Sequence, residues 1–156
     1  MRGELVYPRG DYGPNNPGNY IGLAIHHSVY STPLSTKEAA LRIHQSHLGQ
    51  GWSGYGYNFQ GSETDNKIAY VGSIKTQRAH VYGRNHELIG LCLDGDYSVR
   101  KPPGVLVQRI IRFVVELQAW LGKPFVVDGH RGWALPSHPT LCPGNGWYEN
   151  GVLILF

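Results

Sequence analysis

The chain has 156 residues, enough for one domain with a genuine core and too few for two catalytic domains. Hydrophobic residues make up 41% and charged residues 16%, which excludes a disordered chain, and no apolar stretch reaches the roughly 18 residues a membrane-spanning helix needs. The net charge of +3 favours approach to anionic surfaces such as a bacterial envelope, but the basic residues are scattered and Arg100-Lys101 is the lone adjacent pair, so no nucleic-acid surface is expected.

The first twenty residues lack the basic, apolar and small-residue order of a secretory signal, so synthesis in the cytoplasm without stable membrane insertion is expected. Residues 8–19 contain nine Pro, Gly or Asn in twelve, which predicts an irregular lead-in over 1–20, packed at most as a surface strap. The main domain is then expected over 21–156. The apolar run Ile21 to Ile25 reads as a buried first strand that ends at His26.

Ser35-Thr36-Lys37-Glu38 is a capping box, and Ala39, Ala40, Leu41 and Ile43 carry the helix onward until Gly49 and Gly51 stop it. His44 and His47 lie three apart on that helix, whereas a helical metal pair more often uses i, i+4, so both read as packing or surface residues. Two strands are expected at Tyr55 to Phe59 and Ile68 to Gly72, joined by the polar turn Ser62 to Lys67. Ile89 to Leu93 reads as a central strand, and Cys92 within it as a small buried hydrophobe. Val105 to Leu121 shows a 3.6-residue apolar stripe through Ile110, Phe113, Val114, Leu117 and Leu121, the mark of an amphipathic core helix ending at Gly122. Phe125 to Val127 is the last strand, ending three residues before His130. Strands separated by helices predict an α/β fold.

The residues that carry chemistry stand at opposite ends of this order. Ile25-His26-His27-Ser28 comes early, and Gly129-His130-Arg131 and Thr140-Leu141-Cys142-Pro143-Gly144 come late. Together they supply two imidazoles and a thiolate, which is the donor set of a zinc site that leaves one position open for water. With only Cys92 and Cys142, the chain has too little sulfur for a closed four-cysteine site, and a disulfide-stapled secreted scaffold is not expected. Adjacent side chains on a strand point to opposite faces, so only one of His26 and His27 can join.

The segments between these residues also form a pattern. Gly51-Trp52, Gly56-Tyr57-Asn58-Phe59, Ala79-His80-Val81-Tyr82-Gly83-Arg84-Asn85 and Ile89-Gly90-Leu91-Cys92-Leu93 lie in order between the early and late motifs. In these stations the chain resembles the type 2 N-acetylmuramoyl-L-alanine amidases, which include T7 lysozyme-like phage endolysins and peptidoglycan recognition proteins. The resemblance implies a single domain with a central mixed β-sheet flanked by helices. It implies Zn2+ held by His26, His130 and Cys142, with Tyr57 and Thr140 assisting catalysis, and His27 beside the site. It further implies that His80 and Asn85 contact the muramyl-peptide stem of bacterial peptidoglycan. Trp52, Trp133 and Tyr82 are candidate apolar walls for sugar or peptide.

The implied activity is hydrolysis of the amide between N-acetylmuramic acid and L-alanine by a monomeric phage endolysin. A peptidoglycan-binding module without catalysis is the alternative reading, and a regulator that binds another protein through residues 1–20 is a third. One departure from compact members of the family is the Pro-containing loop Gly132 to Pro139, whose His138 is a competing ligand.

Overall fold

Side-chain alternation along two central strands sorts this molecule into two faces, and the site follows from that sorting. The computed structural model describes residues 5–149 and Leu153. The outer ends of the expected lead-in and catalytic domain, 1–4, 150–152 and 154–156, lie outside the described residues.

Strand β1 (Gly22–His27) is flanked by β4 (Leu88–Asp94) and β5 (Val126–Gly129), both parallel to it. On the other side of β4 lies β2 (Phe59–Ser62), also parallel, and β2 forms an antiparallel hairpin with β3 (Lys67–Tyr70). The sheet order is β3-β2-β4-β1-β5, a mixed sheet as expected. Leu23 and Ile25 of β1 and Ile89, Leu91 and Leu93 of β4 point to one face. There they meet Ile110, Val114 and Leu117 of the stripe read from the sequence in helix α2 (Gly104–Leu121), joined by Leu106 and Val107, while Phe113 and Leu121 of that stripe pack against the cluster partly buried. Alternation sends Cys92 to the opposite face, where it packs with Ala40 and Ile43 of helix α1 (Thr36–Gly49). Helices therefore cover both faces, and all seven residues of β4 are buried. Continuous burial is what a parallel strand between two helical layers experiences.

The start of α1 is set by its capping box: the Glu38 amide donates to Ser35 Oγ, and the Ser35 amide donates to the Glu38 carboxylate at 3.1 Å. Strand β2 begins at Phe59, four residues beyond the expected start. Residues 55 and 56 satisfy their amides elsewhere: the Tyr55 amide donates to His44 Nδ1 at 3.0 Å and the Gly56 amide to His47 Nδ1 at 3.1 Å. The two helix histidines thus replace ladder partners, in keeping with a packing role.

The lead-in is held by specific contacts. Tyr20 is fully buried with its hydroxyl donating to Ile74 O at 2.8 Å, and Leu5 packs into the α1 face. Arg78, 2% exposed, is paired with Asp11 at 3.0 Å. Among the described residues no helix is long and apolar enough to cross a membrane.

Candidate metal centre

Register places the first two donors. Ile25 of β1 stands opposite Gly129 of β5, so the residues that follow each, His26 and His130, emerge side by side at the carboxyl edge of the sheet. Their ring centroids are 4.6 Å apart. Helix α3 (His130–Trp133) starts directly at His130, where the chain leaves the strand. Gly129 is required by close approach, since a Cβ there would run into Pro143 Cδ and the Tyr148 hydroxyl.

The third donor arrives on the loop before helix α4 (Asn145–Tyr148), and Arg131 clamps that loop. The Arg131 amide donates to Cys142 O at 2.8 Å, while its guanidinium donates to Leu141 O at 3.0 Å and Asn145 Oδ1 at 2.7 Å. The Cys142 amide donates to Thr140 Oγ1 at 3.1 Å. The outcome is one donor atom each from His26, His130 and Cys142, all within 4.8 Å of one another. His26 Nδ1 and Cys142 Sγ are 3.7 Å apart. Tetrahedral zinc with ordinary Zn–N and Zn–S bonds has an N···S edge of about 3.6 Å, so the pair already has the spacing a shared ion needs.

Protonation states suit a cation. Burial holds His26 well below the ordinary imidazole range, and neighbouring His130 and His80 add to the effect. Burial lowers His130 to about 4. Both imidazoles are therefore neutral near pH 7, with a lone pair to offer. Burial raises the Cys142 thiol to about 11, against the pull of the His27 amide, which donates to it, and the Arg131 charge. A bound cation would displace that proton.

His27 points away from the trio: its Nδ1 accepts from the Tyr97 amide at 3.1 Å. His138 stacks on Tyr82 with centroids 3.8 Å apart and is not among the clustered donors. The Tyr57 ring lies 4.9 Å from that of His26. Burial, with the Cys92 and Cys142 thiols nearby, raises the Tyr57 hydroxyl well above its usual range, so it stays a proton donor.

Two cavities share His27 and Val29, and one of them reaches the trio at Cys142. One, of about 310 Å³, is lined by Thr140 and Cys142; the other, of about 220 Å³, by Tyr57, His47 and Cys92. Val29, at their junction, has φ of 62°, a left-handed conformation that a β-branched residue adopts only under constraint. A further cavity of about 360 Å³ between α1, β3 and α2 shares no residue with the trio.

His80 and Asn85 face inward. His80 is 8% exposed, with Nδ1 3.1 Å from His26 Nε2, and Asn85 Oδ1 accepts from the His80 and Val81 amides, each at 2.8 Å. Trp133 is tied to β1 by its indole N–H, which donates to Leu23 O at 3.1 Å. Trp52 packs against His47 with ring centroids 4.5 Å apart and planes tilted by 31°, and Tyr82 is 64% exposed. The Arg131 clamp and the Val29 backbone have no sequence signal beyond adjacency to the histidine motifs.

No protein-family model matches the sequence, and no curated protein is significantly similar to it. Solved structures are similar over most of the chain. The N-acetylmuramoyl-L-alanine amidase LysC from Clostridium intestinale URNW superposes with a TM-score of 0.71 at 20% identity, covering 94% of this chain and 91% of that one. Drosophila peptidoglycan recognition protein SD gives 0.79 at 15% identity, covering 94% and 87%. A tyrosine-to-phenylalanine mutant of Drosophila PGRP-LB in complex with tracheal cytotoxin gives 0.66 at 21% identity, covering 90% and 82%. This chain has the fold of N-acetylmuramoyl-L-alanine amidase endolysins and of peptidoglycan recognition proteins.

Proposed function

We propose that the protein is a zinc-dependent N-acetylmuramoyl-L-alanine amidase that cleaves the bond between N-acetylmuramic acid and L-alanine of peptidoglycan. The observation that carries this reading is the convergence of His26, His130 and Cys142 beside the Tyr57 ring, with Cys142 and Thr140 lining one cavity. Two neutral imidazoles and one thiol leave a fourth vertex free, as hydrolytic zinc sites do. When bound, zinc supplies Lewis acidity that lowers the pKa of a coordinated water toward about 7 and polarises the scissile carbonyl.

The remaining work falls to the chain. The Tyr57 hydroxyl, kept protonated by burial, donates to the carbonyl oxygen as negative charge builds there. Thr140 accepts from the Cys142 amide, which orients the thiolate's loop, and its hydroxyl hydrogen remains to be donated into the cavity it lines. Arg131 holds the loop against α3, so the Cys142 donor is fixed before substrate arrives. In a phage setting the enzyme acts on the wall after release from the cell, as a monomer.

Purified sacculi test the reading. The protein is expected to release soluble peptides bearing a free L-alanine amino terminus, read by mass spectrometry, and a chelator is expected to abolish release. Sacculi bound but uncut by zinc-loaded protein would instead establish a binding module.

A further inference from the structure

The inward station of His80 has a chemical consequence for the metal centre. The Leu88 carbonyl, which can only accept, lies 3.2 Å from His80 Nε2, so that nitrogen carries the ring hydrogen. In neutral His80 the other nitrogen, Nδ1, is then bare, and it lies 3.1 Å from His26 Nε2. The contact is a hydrogen bond only if His26 Nε2 donates. Neutral His26 is thereby left with a bare Nδ1, the atom 3.7 Å from Cys142 Sγ.

We propose that His80 is a positioning residue: relayed from the Leu88 carbonyl, it sets the tautomer and ring angle of His26 so that the Nδ1 lone pair is presented to the metal. The surroundings are built for this. The two rings meet edge to face, 5.2 Å between centroids and 86° between planes. Asn85 pins the His80 main chain through two amide hydrogen bonds. Gly90 makes room, since a Cβ at that position would sit 2.9 Å from the His80 ring. Both ring nitrogens of His80 are engaged within the fold, so neither is free for a substrate. Metal-ligating histidines ordinarily donate their second N–H to a carboxylate, backbone carbonyl or water. Here a second imidazole stands between ligand and carbonyl, and it has the right polarity only because the carbonyl dictates its own tautomer.

This inference rests on the trio being the metal site, and its test needs no peptidoglycan. In metal-free protein carrying 15N-labelled histidine, long-range proton–nitrogen correlation is expected to show His26 protonated at Nε2 and bare at Nδ1. His80→Phe keeps a ring but removes the acceptor, and zinc affinity measured by competition with a chromogenic chelator is expected to fall 10–100-fold. His80→Asn places an amide oxygen near the position of Nδ1 and is expected to recover most of that loss. A purely structural role would lower urea stability in both variants alike without separating their zinc affinities. A wild-type His26 protonated at Nδ1, or a His80→Phe variant with wild-type zinc affinity, overturns the inference. Should His80→Phe fail to fold, the wild-type tautomer and the affinity of His80→Asn still decide it. Protein that binds zinc but releases no peptide from sacculi refutes the amidase reading and leaves this inference standing.

Discussion

Zinc affinity should depend on pH in a way the trio dictates. Burial puts the Cys142 thiol at about 11 and His130 at about 4, with His26 well below its ordinary range. Between pH 5.5 and 6.5 the two imidazoles are therefore already deprotonated, whereas the thiol is not. Zinc must expel one proton, from Cys142, and raising the pH makes that easier. The expected apparent Kd falls about tenfold per pH unit across this window, or ~1.4 kcal/mol per unit. The window lies below the point, near pH 7, where ionisation of a coordinated water would add a second proton. Chelator competition at several pH values measures the slope, and calorimetry in two buffers of different ionisation heat counts the proton. In Cys142→Ser the slope should vanish and affinity should fall by more than about 100-fold, because losing even an outer partner of a ligand costs about 10–100-fold. Wild-type affinity that is flat in pH, or a Cys142→Ser variant that keeps the slope, would refute the assignment of the thiolate.

Two further outcomes are expected. Tyr57→Phe should retain full zinc content while turnover on sacculi falls about 10²–10³-fold, the usual loss when one donor to a developing oxyanion is removed; unchanged turnover would reduce Tyr57 to a packing residue. Asp11→Asn should lower the free energy of unfolding in urea by about 2 kcal/mol, the worth of a hydrogen bond to a charged group. The Arg78 side chain is 1% exposed and Asp11 34%, so Arg78 cannot regain full hydration when the charge is lost; an unchanged midpoint would mean the Asp11–Arg78 pair adds nothing to stability.

Periodicity located the elements because burial acts on local spacing. The apolar stripe of α2 and the capping box of α1 were legible for that reason, and both are present. Strand β2 was misplaced by four residues because its expected first half is satisfied by His44 and His47, whose side-chain acceptors imitate a ladder partner. No propensity scale registers such a substitution, since it depends on where a helix lies relative to a loop.

For the site, the residue types and their order were enough to name a two-imidazole, one-thiolate donor set. The alternatives His27 and His138 could not be closed from spacing alone. Strand register places His26, not His27, beside His130: β1 pairs with β5, and alternation turns His27 toward Tyr97. The loop Gly132 to Pro139 takes His138 onto Tyr82. His80 shows the division most clearly: its motif was visible, but its place under His26 depends on a missing side chain at Gly90 in a neighbouring strand. Composition and local period act through nearest neighbours, so the chain alone located its long helices and central strands and supplied its candidate donors. Which donor faces which, and in what tautomer, was decided only when distant strands came into register.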